Sequence, residues 1–383
     1  MALEDELCSH LERALERWKD RVDDLELYAT EGSTLSVSLK SGEPSEVRDS
    51  HISGVGARVV KDGRVGFSST TKLDGLDECI ERATRLSRFG EQLTRWEGFP
   101  APSTLPRVGG LYDKELLDVG VEDACTLSLE LARVPSERGA VLTSGGLSFT
   151  TGAKAIFNSR GLALYEPHTL AYAHGEVVAR EGDLVASSYD YELSRGHELS
   201  LREMANRMCD TALAGLHAVA MEKMRGTLVL RPPAVADVLD NVLVPSLSLD
   251  SVLKGRSALA GRLEQRVASD LLTCVDDGLL DGGIGSSKSD DEGTPSNTKP
   301  VIENGVLKTF LSDVYTGCRA KDKSTGNGVR GSYGSPPSPS VRNLIVHAPE
   351  AKADEVGSGV VITNLIGAHT ANPVSGELSV EGR

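Results

Sequence analysis

The sequence predicts an α+β protein of two domains, with antiparallel sheets, flanking helices, and a second domain rich in strands and turns. Three observations predict it. Alternating apolar and polar residues recur in short runs separated by Gly- and Asp-bearing turns, the pattern of antiparallel hairpins. Apolar residues at helical spacing come in blocks set apart from the strands, which argues against a doubly wound sheet. The 383 residues are also too many for one ordinary core. The expected domains are 1–224 and 225–383, divided near 222–226, where MEKMRG leads into TLVLRPP.

The elements follow in order. Leu3, Leu7, Leu11, Ala14, Leu15 and Trp18 share one helical face, so residues 3–19 are expected to form a helix. Alternating segments at 25–30 and 33–40, a polar loop, and strands at 54–60 and 64–70 come next; Lys61-Asp62-Gly63 makes the last two a hairpin. Leu73, Leu76, Ile80, Ala83 and Leu86 mark a second helix. A Pro/Gly-rich connector at 97–114 precedes a helix at about 114–134. Residues 140–193 read as a meander of four or five strands, with turns at Gly145-Gly146, 159–161 and 181–183. A helix at 199–220 closes this half, and a helical pair at 234–244 and 246–254 opens the next.

Composition narrows the function. A formal charge of −15 disfavours a nucleic-acid partner, which needs clustered Lys and Arg. No apolar run approaches the ~18 residues of a membrane span, so no membrane partner is expected. Six scattered cysteines without a CxxC pair, and an acidic amphipathic N-terminus, predict reduced thiols in a cytoplasmic protein.

The chemistry-bearing segments are few. The stretch VDDGLLDGGIGSSKSDDEGTPSNTKPVIENGVLKT (275–309) is too rich in Gly, Pro and Asp for helix and reads as turns at a sheet edge. Its loop Asp290-Asp291-Glu292-Gly293-Thr294-Pro295 lacks EF-hand spacing and reads as a solvated turn more readily than a cation site. The GNGVRG at 326–331 follows a polar stretch, so its match to a dinucleotide motif is fortuitous. There is no GxSxG elbow and no P-loop. SYGSPPSPSVRN (332–343) is an ordered loop or a flap. The one His-Glu pair, His197-Glu198, has Leu201 and Arg202 four and five residues past the His, so no second zinc ligand follows on its face. His168 and His174 could share a strand face, and a tertiary metal set of Cys274, Cys318, His347 and His369 stays open.

Several blocks taken together resemble the TldD/PmbA family of peptidase-like proteins, in its PmbA (TldE) branch. They are Asp276-Asp277-Gly278, Gly282-Gly283-Ile284-Gly285-Ser286, residues 290–295, Ile302-Glu303-Asn304-Gly305-Val306-Leu307, Ser324-Thr325-Gly326-Asn327, Gly367-Ala368-His369-Thr370-Ala371-Asn372, and the turn Asn158-Ser159-Arg160-Gly161. In that family the TldD-type subunit carries HExxxH after the strand that opens its second domain, with a cysteine near its C-terminus completing a zinc site. Here the helix after Thr227–Arg231 reads AVADVLDNVLVPSL and holds neither His nor Cys.

The resemblance therefore implies a metallopeptidase subunit that binds no zinc and has no catalytic residue of its own. It implies a heterodimer with a zinc-bearing TldD-like subunit, or a homodimer, acting on extended peptides. The residues it assigns to a peptide groove are Asp290, Asp291, Glu292, Thr294, Thr325, His369 and Asn372. The family usually continues several tens of residues beyond HTANPVSGELSVEGR, so a domain shortened at Arg383 is expected. Two other readings remain: an active hydrolase with an unrecognised site, and a peptide-binding scaffold without activity.

Overall fold

A computed structural model describes residues 2–93, 96–219, 226–349 and 359–382. The first half is organised by one antiparallel sheet of six strands. These are β1 (Asp24–Lys40), β2 (Glu43–Lys61), β3 (Arg64–Thr70), β4 (Ala140–Asn158), β5 (Ala163–Glu181) and β6 (Leu184–Ser194), in the spatial order β3-β2-β1-β4-β5-β6. Four helices lie against it: α1 (Ala2–Trp18), α2 (Leu76–Ser87), α3 (Val121–Glu137) and α4 (Leu201–Gly215). The expected α+β class is the one observed.

The strands are fewer and longer than the sequence suggested. The segments at 25–30 and 33–40 are one strand, because Gly32 is not a turn residue. It pairs with Ile52 and Gly152, and a Cβ there would lie 3.0 Å from the Thr151 carbonyl oxygen. The polar loop is the first half of β2, polar because it extends past β3 and is wetted on both sides. Gly145-Gly146 also lies within a strand, β4, where a Cβ on Gly146 would stand 2.7 Å from the Val37 carbonyl oxygen. The meander thus has three strands, with turns at 159–161 and 181–183. The helix expected at 114–134 starts at Val121, after a short 3-10 turn, because Gly120 interrupts it; the Asp123 carboxylate accepts the Gly120 N–H at 3.0 Å.

Alternation assigns the two faces of the sheet. Leu25, Leu27, Ala29, Val37 and Leu39 of β1 all face the helices and enter two apolar clusters, one beneath α1 and α2, the other beneath α3 and α4. The opposite face carries Glu26 and Tyr28. Across the strands from them stand Arg58 and Gly56 on β2, and Asn158 and Ile156 on β4. Lys154 of β4 faces Glu166 of β5. A sheet face with this many ionisable groups needs a polar partner, and the second half supplies it.

That half begins with β7 (Thr227–Leu230), which pairs in parallel with β12 (Gly359–Ile362). After β7 come α5 (Pro232–Val238), a π turn (Leu239–Leu243), α6 (Val244–Leu247) and α7 (Leu249–Leu253). A four-stranded sheet follows, ordered β10 (Val306–Leu307), β9 (Thr298–Glu303), β8 (Thr273–Asp277), β11 (Leu344–His347). Leu247, Cys274, Val301, Ile302, Leu307 and Leu311 form its small core. The sequence junction expected near 222–226 falls largely on 220–225, outside the described residues. Among the described residues no helix is long and apolar enough to cross a membrane.

Candidate functional site

The acidic loop 290–295 is not a solvated turn. Asp290 and Glu292 are fully buried and Asp291 nearly so, because the loop is pressed against the charged face of the large sheet. Asp290 builds the turn itself: one carboxylate oxygen accepts the N–H groups of Glu292 (3.0 Å) and Thr294 (2.9 Å), the other that of Gly328 (3.0 Å). Gly293 adopts φ +88°, and a Cβ there would lie 2.2 Å from Leu162 Cδ2, so only glycine fits.

Around this turn runs a buried ion-pair chain that joins residues far apart in sequence. Arg58 Nη2 donates to Glu26 Oε2 (2.7 Å) and to Glu292 Oε1 (2.5 Å). Arg330 donates to the other oxygen of Glu26. The Val314 N–H donates to Glu292 Oε2 (2.7 Å). Lys154 Nζ pairs with Asp291 Oδ1 (2.9 Å), whose second oxygen accepts the Arg330 N–H (2.8 Å). The two guanidinium groups stack on Phe99 and Tyr28, each 4.7 Å from the ring centre. Such pairs are retained in a core only when every charge finds partners.

The charges explain the titration. Burial would raise Asp291, but Lys154 and Arg342 outweigh it and hold the carboxyl below its ordinary value. Burial, reinforced by the Glu292 charge, pushes Asp290 up to about 7. Asp290 has no cationic partner among the described residues and is met only by backbone N–H groups, which offset the burial and the Glu292 charge in part. A folded pKa above the unfolded value of 3.8 means that the native state holds a proton the unfolded chain releases. The Asp290 contribution is therefore fully present below pH ~4, declines between ~4 and ~7, and stays at its lower level above that. The difference in urea midpoint between the wild-type chain and Asp290→Asn should change across this window and be flat above it. A constant difference from pH 4 to 8 would show that Asp290 does not titrate there.

Beside the turn opens a cavity of about 370 Å³ between the sheet face and segments 284–287 and 341–342. Lys154, Glu166 and His168 line its floor, and Arg195, Arg342 and Asp291 its sides. Burial, helped by the nearby Arg195 and Lys154 charges, lowers His168 to about 4, so its imidazole is neutral.

The expected groove residues do not form one surface. Asp291 lines this cavity, whereas Asp290 and Glu292 lie beneath it as structural groups. Thr294 lines a different cavity with Trp96, Gly98, Cys318 and Lys321. The Thr325 hydroxyl accepts the Ser312 N–H (2.8 Å) and donates to Asn327 (2.8 Å), a structural role. His369 and Asn372 are exposed in and after a short 3-10 turn (Ala368–Thr370) that packs on α5 and the π turn. Arg58, Lys154, Arg195, Arg330 and Arg342 escaped sequence reasoning because nothing local distinguishes them. The one usable signal was the period-2 placement of Glu26, Arg58 and Lys154, each on the face of its strand opposite the apolar one.

The remaining motifs are structural. Asn327 and Arg330 of GNGVRG serve as buried partners: Asn327 donates to Asp276 (2.7 Å), and Arg330 joins the ion-pair chain. In SYGSPPSPSVRN, Tyr333 packs on β2, where a Cβ on Gly54 would lie 2.4 Å from its ring, so the segment is a packed loop and not a flap. His197 precedes α4 in a loop and pairs with Asp113 (2.8 Å), which raises its pKa. Cys274 is buried in the small core while His347 and His369 are exposed. Among the described residues no three His, Cys, Asp or Glu side chains come together to hold a metal. The helix after β7 does not fit zinc either: its polar side chains, Asp237, Asp240, Asn241 and Ser246, include no imidazole or thiolate.

Family models match most of the chain: PmbA/TldA metallopeptidase domain 1 over 25–87, the central domain over 114–216 and the C-terminal domain over 223–383. An uncharacterized protein of Methanocaldococcus jannaschii is 31% identical over 329 residues, 86% of this chain and 76% of that protein. Metalloprotease PmbA of Escherichia coli O157:H7 is 24% identical over 379 residues, covering 92% of this chain and 79% of that one. The crystal structure of TldE from Thermococcus kodakarensis superimposes with a TM-score of 0.87 at 22% identity, over 95% of this chain and 84% of that one, and shows the same fold.

Proposed function

Because the chain belongs to the PmbA/TldD metallopeptidase family, we propose that it is the subunit without zinc of a two-subunit metallopeptidase, working beside a zinc-bearing TldD-like partner on extended peptides. The observation that carries this reading is the segment after β7. Strand, α5, π turn and α6 follow one another in order, yet no residue from 232 to 247 can serve as a nitrogen or sulfur ligand. The π turn strengthens it, since an i→i+5 bond (Val244 N–H to the Leu239 carbonyl) widens the helix and brings positions five apart closer to one face. That is the spacing of the two histidines in HExxxH.

The substrate would add as a strand. β6 is an edge strand with Val185, Tyr189 and Tyr191 exposed, and such an edge pairs readily with another extended chain. Tyr191 lies within electrostatic reach of Asp237 and Asp240, so this edge runs beside the helix.

The test is reconstitution. The isolated chain should hold far less than one zinc per molecule and leave an unfolded protein substrate intact. Mixed with a zinc-bearing TldD-like protein, it should co-elute as a complex, release peptides, and lose that activity to a chelator. Stoichiometric zinc and proteolysis by the lone chain would end the proposal, as would cleavage by the partner that the chain leaves unchanged.

A further inference from the structure

We infer that the cavity between the β4–β5 face and segments 284–287 and 341–342 is an oxyanion subsite, and that its ligand is the terminal carboxylate of a short peptide ending in an apolar residue. The inference rests on the peptide-handling role proposed above and deepens it.

The first observation is charge. On a chain of net charge −15, four cationic side chains, Lys154, Arg195, Arg330 and Arg342, line one cavity against two carboxylates, Glu166 and Asp291. Lys154 and Arg330 are engaged by Asp291 and Glu26. Arg195 and Arg342 make no salt bridge among the described residues. Arg195 donates to the carbonyl oxygens of Ile284 and, at 3.3 Å, Thr169; Arg342 donates to the Ser287 hydroxyl.

The second observation is unfilled hydrogen-bonding capacity. The Nε atoms of both Arg195 and Arg342 are buried and have no partner. Guanidinium donors removed from water and left unpaired are costly, and an oxyanion is the group that satisfies them, through two parallel bonds where geometry allows. His168 supports the same sign of potential, because the neighbouring cations help keep it neutral.

The third observation is shape. Leu111, Leu170, Ile284, Val329 and Val341 complete the walls. About 370 Å³ lies at the small end of the ~300–1,000 Å³ of ligand pockets. Cations beside an aliphatic wall match a carboxylate attached to an apolar side chain. Inorganic phosphate shares the oxyanion chemistry but has nothing to place against that wall.

Calorimetric titration of the isolated chain tests the assignment with three probes: an N-acetylated tripeptide ending in leucine as the free acid, the same peptide as its C-terminal amide, and inorganic phosphate. The free acid should bind, more weakly at high salt, and the amide at least about tenfold more weakly. Phosphate should displace the acid only in large excess. Arg342→Gln and Arg195→Gln should each weaken the acid about tenfold or more while leaving amide binding as it was, with circular dichroism confirming that each variant is folded. Equal binding of acid and amide would overturn the inference. So would an acid that fails to bind the folded wild-type chain, or phosphate that competes on equal terms. Acid binding without proteolysis in any reconstituted complex would keep the subsite and sink the subunit reading. Proteolysis without acid binding would do the reverse.

Discussion

Replacing Arg58 by Ala is expected to cost about 3–5 kcal/mol of stability, the range for removing one partner from a buried ion pair. Arg58 is 3% exposed and links Glu26 of β1 to Glu292 of the acidic loop, residues from opposite halves of the chain. Without it Glu292 keeps only the Val314 N–H as a bonded partner, and Glu26 keeps Arg330. A typical domain has only ~5–15 kcal/mol to lose, so the urea midpoint should fall steeply. Arg58→Lys keeps the charge but loses the planar guanidinium that stacks on Phe99, and should recover part of the loss. The expectation fails if Arg58→Ala costs less than about 1 kcal/mol, the value of a solvated pair.

Gly285→Ala is expected to distort the cavity rim and cost about 1–3 kcal/mol or more. A Cβ at this position would stand 1.9 Å from the Arg342 carbonyl oxygen and 2.6 Å from its carbonyl carbon. Both are backbone atoms, so no side-chain rotation relieves the clash. The two segments are already laced together, since Asn343 accepts the Gly285 N–H (2.9 Å) and donates to Ser286 (2.8 Å). Moving them apart would also shift Arg342, so free-acid peptide binding should fall along with the thermal midpoint. Gly282→Ala is a suitable control: a Cβ there meets nothing within 4 Å, and its cost should be only that of φ +68°. Equal midpoints for Gly285→Ala and the wild-type chain would show that the segments yield freely.

Much of the architecture was legible in the sequence. Period-2 alternation located part of every long strand but missed the polar first half of β2, and all four helices of the first half were anticipated. Errors arose at glycines: Gly32, Gly145 and Gly146 resemble turn residues locally, yet they sit mid-strand because neighbouring backbones crowd them. The acidic loop showed the same limit in the other direction. Three successive carboxylates read as solvated, since no short-range signal announces that Arg58, Lys154 and Arg330 will meet them.

Residue order alone determined the alternating faces of the long strands, the turn at 290–295 and the lack of nitrogen or sulfur ligands after β7, because these depend on neighbours a few positions apart. The burial of that turn, its ion-pair chain and the basic cavity were decided only when the halves packed together. Glu26 and Glu292 meet through one guanidinium across 265 intervening positions, and the electrostatics of a pair at contact distance depend on where the chain folds, not on where each residue stands along it.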